Sequence, residues 1–84
     1  MQKAQVGKVT HYFSKINVAV VKLSEALTKD DTVSFEGVTT NFYQPADSME
    51  IDKQRIERAE PGQSVGMKVK SHVRMGDLVF KIIN

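Results

Sequence analysis

The segment 65–75 alternates strictly between two sets of side chains, and this alternation constrains the fold more than any other feature of the chain. One set is mostly apolar: Val65, Met67, Val69, Ser71, Val73 and Met75. The residues between them include four basic ones: Lys68, Lys70, His72 and Arg74. Because successive side chains of a strand point to opposite faces, the pattern predicts a single β-strand over 65–75 with a buried face and a basic, solvent-facing one.

β-Branched residues dominate the rest of the chain, with 21 Val, Ile and Thr against 8 Ala and Leu. Such residues favour pleated strands over helices. Further strands are predicted at Val6–Phe13, Asn17–Leu23, Thr32–Glu36, Thr39–Gln44, Ser48–Ile51 and Leu78–Ile83. Turns are expected at Gly37, Pro45–Asp47, Pro61-Gly62 and Gly76-Asp77, since Gly and Pro suit chain reversals. The predicted fold class is all-β, with six or seven short strands closing into a small antiparallel barrel that leaves no exposed edge.

Length and composition restrict the kind of protein this can be. The 84 residues suit one domain, 1–84, because domains typically need about 50–250 residues. The chain has no cysteine, which excludes disulfides, thiolate nucleophiles and Cys-based zinc sites and favours a cytoplasmic location. Its longest apolar run, Val18–Val21, is far shorter than the roughly 20 residues that cross a membrane. We therefore expect a small soluble domain without a membrane partner.

The net charge of +2 conceals an uneven distribution along the chain. Residues 1–23 carry four lysines and no acid, which gives +4. Residues 24–52 carry one base and seven acids, or −6, and residues 53–84 carry seven bases and three acids, or +4. Two basic segments thus flank an acidic one, a pattern that favours an anionic partner for the basic parts.

The segment Gly62–Gly66 matches the G-x-S-x-G pattern of the hydrolase nucleophile elbow. That elbow lies between a strand and a helix, and its acid and histidine partners follow it in the chain. Here a Pro-Gly turn precedes the serine, a predicted strand follows it, and His72 is the one histidine downstream. A turn entering a strand is the better interpretation, with Gly66 marking a bulge or a close backbone approach. A hydrolase is the least favoured function.

Metal and nucleotide sites are not expected either. His11 and His72 are the only histidines, and neither has a second strong ligand at helical spacing. The adjacent acids Asp30 and Asp31 are typical of a solvated turn. No G-x-x-x-x-G-K-[ST] sequence is present to hold a nucleotide phosphate. We predict no catalytic residue, no metal ligand and no cofactor.

The basic face is the best candidate binding surface. Lys68, Lys70, His72 and Arg74 would lie in a row, with Tyr12 and Tyr43 on neighbouring strands. Lysines neutralise phosphates and aromatic rings stack on bases, so small basic barrels often bind nucleic acid. Any soluble barrel also directs charged residues outward, and a merely solvated face is the alternative interpretation.

Most of the chain resembles the β-barrel second domain of translational GTPases such as elongation factor Tu. The similar segments are Gly7–Val9, Ala19–Leu23, Leu27–Val33, Gly37, Met49–Ile51, Ala59–Gly66 and Val73–Val79. The chain is also similar to small free-standing proteins of this type and to the barrel appended to collagenase-like peptidases, some of which act in tRNA modification. The resemblance implies a closed six- or seven-stranded antiparallel Greek-key barrel.

The resemblance also implies two functions. In the elongation factors this domain helps to hold the aminoacyl end of tRNA, and Glu50 matches a position near the terminal adenosine there. The first hypothesis is a non-catalytic barrel that binds tRNA, rRNA or a ribonucleoprotein through its basic face. The second is an accessory subunit that binds a separately encoded protein, a larger peptidase-like or tRNA-modifying enzyme.

Overall fold

The computed structural model describes residues 2–83, which form ten β-strands and no helix. The strands are β1 Gln2–Phe13, β2 Val18–Leu23, β3 Leu27–Thr28, β4 Thr32–Glu36, β5 Asn41–Pro45, β6 Met49–Ile51, β7 Gln54–Arg55, β8 Arg58–Ala59, β9 Ser64–Lys68 and β10 Leu78–Ile83. The all-β prediction is confirmed. Within residues 2–83 no helix has the length and apolar character needed to cross a membrane.

Eight strands form one antiparallel sheet in the order β5-β4-β10-β1-β2-β9-β6-β7, and β3 pairs with β8 separately. Two predicted strands, Thr32–Glu36 and Leu78–Ile83, have the observed bounds, and four others are displaced by a few residues at one or both ends. The strand count of six or seven was too low, because β3, β7 and β8 are only two residues long. Among the described residues no strand pair joins the two ends of the sheet, β5 and β7.

Strand β1 is long enough to pair with both β10 and β2. Its register shifts once between Gln5 and Gly7 and again between Val9 and His11, and such irregularities bend a strand and increase its twist. A Cβ atom at Gly7 would lie 2.7 Å from the carbonyl oxygen of Lys22. Glycine therefore allows β1 and β2 to approach closely at the bend.

The core lies on the inner face of this bent sheet. Its largest fully buried side chains are Phe35, Leu27, Met49 and Met67. Valines fill much of the remaining space, at positions 6, 9, 21, 33, 65, 73 and 79. The ring of Phe42 stacks on Phe35 with 5.1 Å between centroids. Burial alternates with exposure along β9, as a strand with one wet face requires.

The strand predicted over 65–75 was wrong beyond Lys68, where β9 ends. Two side chains take over the hydrogen bonds that a neighbouring strand would make there. The Gln44 amide donates to the carbonyl of Lys68 (2.8 Å) and accepts from the backbone N–H of Lys70 (3.0 Å). The Ser48 hydroxyl accepts from the backbone N–H of Lys68 at 3.1 Å. Val69 and Val73 are still buried, as the alternation predicted, but Ser71 is exposed and Met75 is 69% exposed, so the predicted buried face was wrong at these two positions.

These contacts show how strongly the sheet curls. Gln44 lies on β5, five positions away from β9 in the sheet order with four strands between them, and neighbouring strands are about 4.8 Å apart. In a flat sheet the two strands would be separated by roughly 24 Å. The 2.8 Å bond between Gln44 and Lys68 therefore requires the sheet to fold back on itself.

The predicted turn at Gly76-Asp77 is a buried polar corner. Asp77 is 7% exposed and accepts hydrogen bonds from the Thr40 hydroxyl and from the backbone N–H of Arg74. Gly76 has a φ of 95°, a backbone conformation that favours glycine. Gly37 packs directly against the Asp77 carboxylate, where a Cβ atom would overlap it. The corner thus ties the β4–β5 turn to the start of β10.

Candidate binding groove

The four basic residues of the predicted row do not share one strand face. Lys68 is the last residue of β9, and the other three follow it outside any strand. Lys70 lies with its Nζ atom 6.0 Å from the ring centre of Phe42. His72 and Arg74 lie further along the same connection to β10. All four side chains are exposed, but they follow the curved connection rather than a flat row.

Two of these basic side chains make contacts with other residues of the chain. The His72 ring packs edge-on against Tyr12, with 4.7 Å between centroids. The Arg74 guanidinium donates to the Thr39 hydroxyl at 2.9 Å. Lys68 and Lys70 therefore remain the basic residues of the set with the greater freedom to meet a partner.

The two tyrosines differ in availability. Tyr12 is half-buried, packs against the core and donates its hydroxyl to Asn17 at 3.2 Å. Tyr43 on β5 is 50% exposed. Only Tyr43 of this pair presents a ring that could stack on a ligand.

Lys68 and Glu50, two of the predicted site residues, line one groove on the outer face of the sheet. The groove has a volume of about 260 Å³. We call it the Gly66 groove; its lining residues are Ile16, Val18, Ser48, Glu50, Arg55, Gly66 and Lys68. The sequence indicated Lys68 through the basic alternation and Glu50 through the family resemblance, and the pairing of β6 with β9 brings their strands together.

Cross-strand register explains the shape of this groove. Val20, Gly66, Glu50 and Arg55 are paired in succession across β2, β9, β6 and β7. Paired residues of antiparallel strands place their side chains on the same face. Since Gly66 has no side chain, the row has a gap at its second position. The gap forms the floor of the groove, with Val18 and Lys68 in the adjacent row.

The interpretation of Gly66 as a bulge was wrong. Its pairing with Val20 and Glu50 is regular, and the register shifts lie in β1 instead. A Cβ atom at Gly66 would meet Val18 at 3.5 Å and the Glu50 carbonyl at 3.8 Å, which are ordinary van der Waals distances. The strand does not need glycine here, so the missing side chain is available as open space.

A second depression continues the groove toward β5. We call this depression, of about 430 Å³, the Lys70 hollow; its lining residues are Gln44, Pro45, Asp47, Ser48, Lys68, Val69 and Lys70. It shares Ser48 and Lys68 with the Gly66 groove. The two depressions therefore meet over the end of β9, where Ser48 and Gln44 fix the backbone.

The charged side chains that line the two depressions do not take part in close ion pairs within residues 2–83. Four ion pairs occur among residues 2–83: Lys3–Glu36, Lys29–Glu57, Arg58–Glu60 and Lys81–Asp31. None of them includes a residue of the Gly66 groove or the Lys70 hollow. Three cations, Arg55, Lys68 and Lys70, thus face these depressions together with the carboxylates of Glu50 and Asp47.

Sequence reasoning missed Ile16, Val18 and Arg55 as lining residues. Arg55 reaches its place opposite Glu50 through a two-residue hairpin in which Asp52 and Lys53 have φ of 53° and 65°. Such turns are usually recognised in a sequence by Asn-Gly or Asp-Gly, and the Asp-Lys pair present here does not predict one. Ile16 is 59% exposed in the turn between β1 and β2, a position that only the folded hairpin brings to the groove.

The structure gives the G-x-S-x-G segment a structural role. Gly62 has a φ of 91° in a turn, and Ser64 is the first residue of β9. The predicted turn entering a strand is therefore confirmed. Within residues 2–83 no group of three His, Cys, Asp or Glu side chains is arranged to hold a metal ion.

Comparison with known proteins links the chain to proteins named as peptidases. No family model matches the chain. It is 34% identical over 80 residues to a Methanocaldococcus jannaschii protein named as an uncharacterised protease, with 94% of this chain and 20% of that protein aligned. It is 33% identical over 82 residues to a collagenase of Porphyromonas gingivalis, with 95% of this chain and 23% of that protein aligned. The chain spans about a fifth of the length of the curated relatives that it matches.

Two crystal structures of the C-terminal domain of a Geobacillus thermoleovorans protein, designated a U32 peptidase, share the fold. One is 25% identical, has a TM-score of 0.85 and covers 93% of this chain and 91% of that one. Its selenomethionine variant is 24% identical, has a TM-score of 0.84 and covers 90% and 96%. These matches support the resemblance to the domain appended to collagenase-like peptidases and not that to translational GTPases. The chain is similar in fold to a U32 peptidase C-terminal domain.

Proposed function

We propose that the chain is a non-catalytic binding module and that it acts as an accessory unit of a larger peptidase-like protein. One observation carries this proposal: the fold matches a peptidase C-terminal domain over nearly all of both chains. The curated relatives add that similar segments occupy about a fifth of proteins named as proteases. A segment of that size can act as one module beside a separate catalytic part.

The side chains of the groove support a role in binding rather than catalysis. Ser48 is the hydroxyl that lines both depressions. Its Oγ atom accepts from the Lys68 backbone N–H at 3.1 Å and donates to the Lys68 carbonyl at 3.3 Å. A nucleophilic hydroxyl needs a general base within hydrogen-bond reach, whereas this one is engaged in fixing the strand.

We further propose that the curled sheet is a barrel of the Greek-key type expected from the resemblance. The support is the bond network between β5 and the end of β9, where Gln44 and Ser48 replace strand pairing. A barrel sealed by side chains would hide the edge of β5 and protect it from pairing with other chains. It would also fix the relative positions of the Gly66 groove and the Lys70 hollow.

RNA binding is the second candidate function, and the exposure of Lys68, Lys70, His72 and Arg74 supports it. The contacts of His72 with Tyr12 and of Arg74 with Thr39 weaken it, because they engage two of the four basic groups. Titration with tRNA over a salt series tests this candidate. Phosphate contacts predict an affinity that falls steeply with salt and that depends on Lys68 and Lys70.

The accessory role is tested by immunopurification of the chain from nuclease-treated extract of its source cells, followed by mass spectrometry. We expect a peptidase-like polypeptide in stoichiometric amount, either continuous with the chain or bound to it. A parallel purification from untreated extract that recovers ribonucleoprotein, which nuclease treatment then removes, would favour RNA binding instead. Recovery of the chain alone from both treated and untreated extracts would contradict both proposals.

A further inference from the structure

The Gly66 groove and the Lys70 hollow form a channel with an apolar part and a basic part. Ile16 and Val18 provide the apolar wall at one end, and Ile16 is 59% exposed. Lys68 lines both depressions, and Lys70 lies at the other end. The floor at Gly66 is open because a Cβ atom there would make only ordinary contacts. A ligand can therefore place an apolar group over Gly66 while an anionic group lies beside Lys68.

The cations of the channel lack close carboxylate partners within residues 2–83. Arg55, Lys68 and Lys70 are absent from the ion pairs of this part of the chain. Two carboxylates, Glu50 and Asp47, line the same channel. The channel thus has an excess of one positive charge, with both signs arranged along it. Complementary charge favours specificity and fast association for a partner that matches this arrangement.

This mixture favours a peptide over a nucleic acid. Single-stranded nucleic acids are held by basic grooves together with aromatic rings on which bases stack. Among the described residues that line the channel there is no aromatic side chain. Glu50 and Asp47 would also repel a continuous phosphate backbone. A peptide offers isolated carboxylates beside apolar side chains, which is the pattern that this channel complements.

We propose that the channel binds an extended peptide segment in which an acidic residue is adjacent to an apolar one. The carboxylate meets Lys68 and Arg55, and the apolar side chain lies over Gly66 against Val18 and Ile16. This proposal deepens the accessory function and rests on it for the source of the peptide, a segment of the peptidase-like protein.

The test is an NMR titration of the uniformly ¹⁵N-labelled chain at low ionic strength. The probe is a peptide of sequence Asp-Leu-Asp with both termini blocked, and the matched probes are Asn-Leu-Asn and Lys-Leu-Lys. We expect saturable shifts of the Gly66 and Lys68 amides with the acidic peptide. Equal shifts with the neutral peptide, or tighter binding of the basic one, would overturn the proposal.

Two variants locate the site. Lys68→Glu weakens binding of the acidic peptide roughly three- to tenfold, as expected when an exposed attraction becomes a repulsion. Gly66→Val fills the floor of the channel and removes the saturable shifts. The control Lys8→Glu reverses an exposed lysine on β1 outside the channel and leaves the affinity within about twofold. Equal weakening by Lys8→Glu and Lys68→Glu would show a general charge effect and would contradict the site.

Two further comparisons distinguish peptide binding from RNA binding and from the accessory role. Oligo-uridine replaces the peptide in the same titration. Shifts of the same amides with oligo-uridine, stronger than those with the acidic peptide, would overturn the peptide proposal. Peptide binding in a chain that recovers no peptidase-like protein from cells would retain the site and remove the accessory function.

Discussion

Gln44 is the residue whose replacement most directly tests how the curled sheet is held. It lies on the edge strand β5, is 8% exposed and bonds to the backbone of both Lys68 and Lys70. Replacement by alanine removes one donor and one acceptor at the place where no strand pairing joins β5 to β9. Ser48 keeps its own bonds to Lys68, so one attachment remains.

The expected loss follows from these two hydrogen bonds. Each contributes about 1 kcal/mol net to folding, and a buried partner left unsatisfied adds to the cost. Gln44→Ala should therefore lower the free energy of unfolding by about 2–3 kcal/mol. For a domain of 84 residues, 1 kcal/mol corresponds to roughly 4–8 °C in Tm. We expect the Tm to fall by roughly 8–24 °C.

Urea unfolding followed by circular dichroism measures this loss, with thermal melts as a second measurement. The matched control is Gln5→Ala, because Gln5 is an exposed glutamine on β1 and should change stability by less than about 0.5 kcal/mol. Gln44→Glu keeps the acceptor for Lys70 but places a carboxylate oxygen against the carbonyl of Lys68. Its stability should approach that of the parent as acid protonates the new carboxyl. Equal stability of Gln44→Ala and Gln5→Ala would refute this explanation of the curl.

Three further predictions concern single contacts. Gly37→Ala should destabilise the chain by roughly 1–3 kcal/mol in urea unfolding, because its Cβ would overlap the buried Asp77 carboxylate; unchanged stability would contradict the tight corner. The Lys3 ammonium, 2.7 Å from Glu36, lowers the pKa of that carboxyl below its ordinary 4.5. This pair therefore stabilises the fold above pH 4.5, and its contribution is lost as the pH falls through the lowered pKa; Lys3→Gln should reduce that acid dependence in pH-dependent melts. Lys53→Gly should stabilise the chain by up to about 1 kcal/mol in the same melts, because it creates the Asp-Gly pair that this hairpin turn favours; a loss of stability would contradict the positive φ of 65° at Lys53.

The strands could be predicted from sequence because their signal is local. Thr32–Glu36 and Leu78–Ile83 are β-rich runs bounded by turn residues, and both have the observed bounds. The run after Lys68 misled the same reasoning. Val69 and Val73 alternate as in a strand and are buried, but the side chain of Gln44 supplies the hydrogen bonds there. The periodicity thus predicted the burial of Val69 and Val73, but it failed at Met75, which is 69% exposed, and it does not show which groups satisfy the backbone.

The candidate site was only partly predictable because it depends on pairing between distant segments. Lys68 and Glu50 were recognised separately, and the pairing of β6 with β9 places them in one groove. Arg55 joins them through a turn that lacks the usual glycine. Gly66 was interpreted as a bulge or a close backbone approach, whereas its effect here is to leave space on the outer face. Such effects depend on register, which no single segment specifies.

Light scattering coupled to size-exclusion chromatography tests the central claim, that the chain works by binding a peptidase-like polypeptide. The purified chain is mixed with the peptidase-like protein recovered from cells, after nuclease treatment, and each component is also examined alone. If the two are separate polypeptides, we expect a one-to-one complex that Lys68→Glu weakens and Lys8→Glu does not. If the cells carry them as one polypeptide, the excised chain should bind the remainder of that polypeptide with the same dependence on Lys68. Independent elution of the two components at high concentration would contradict the claim.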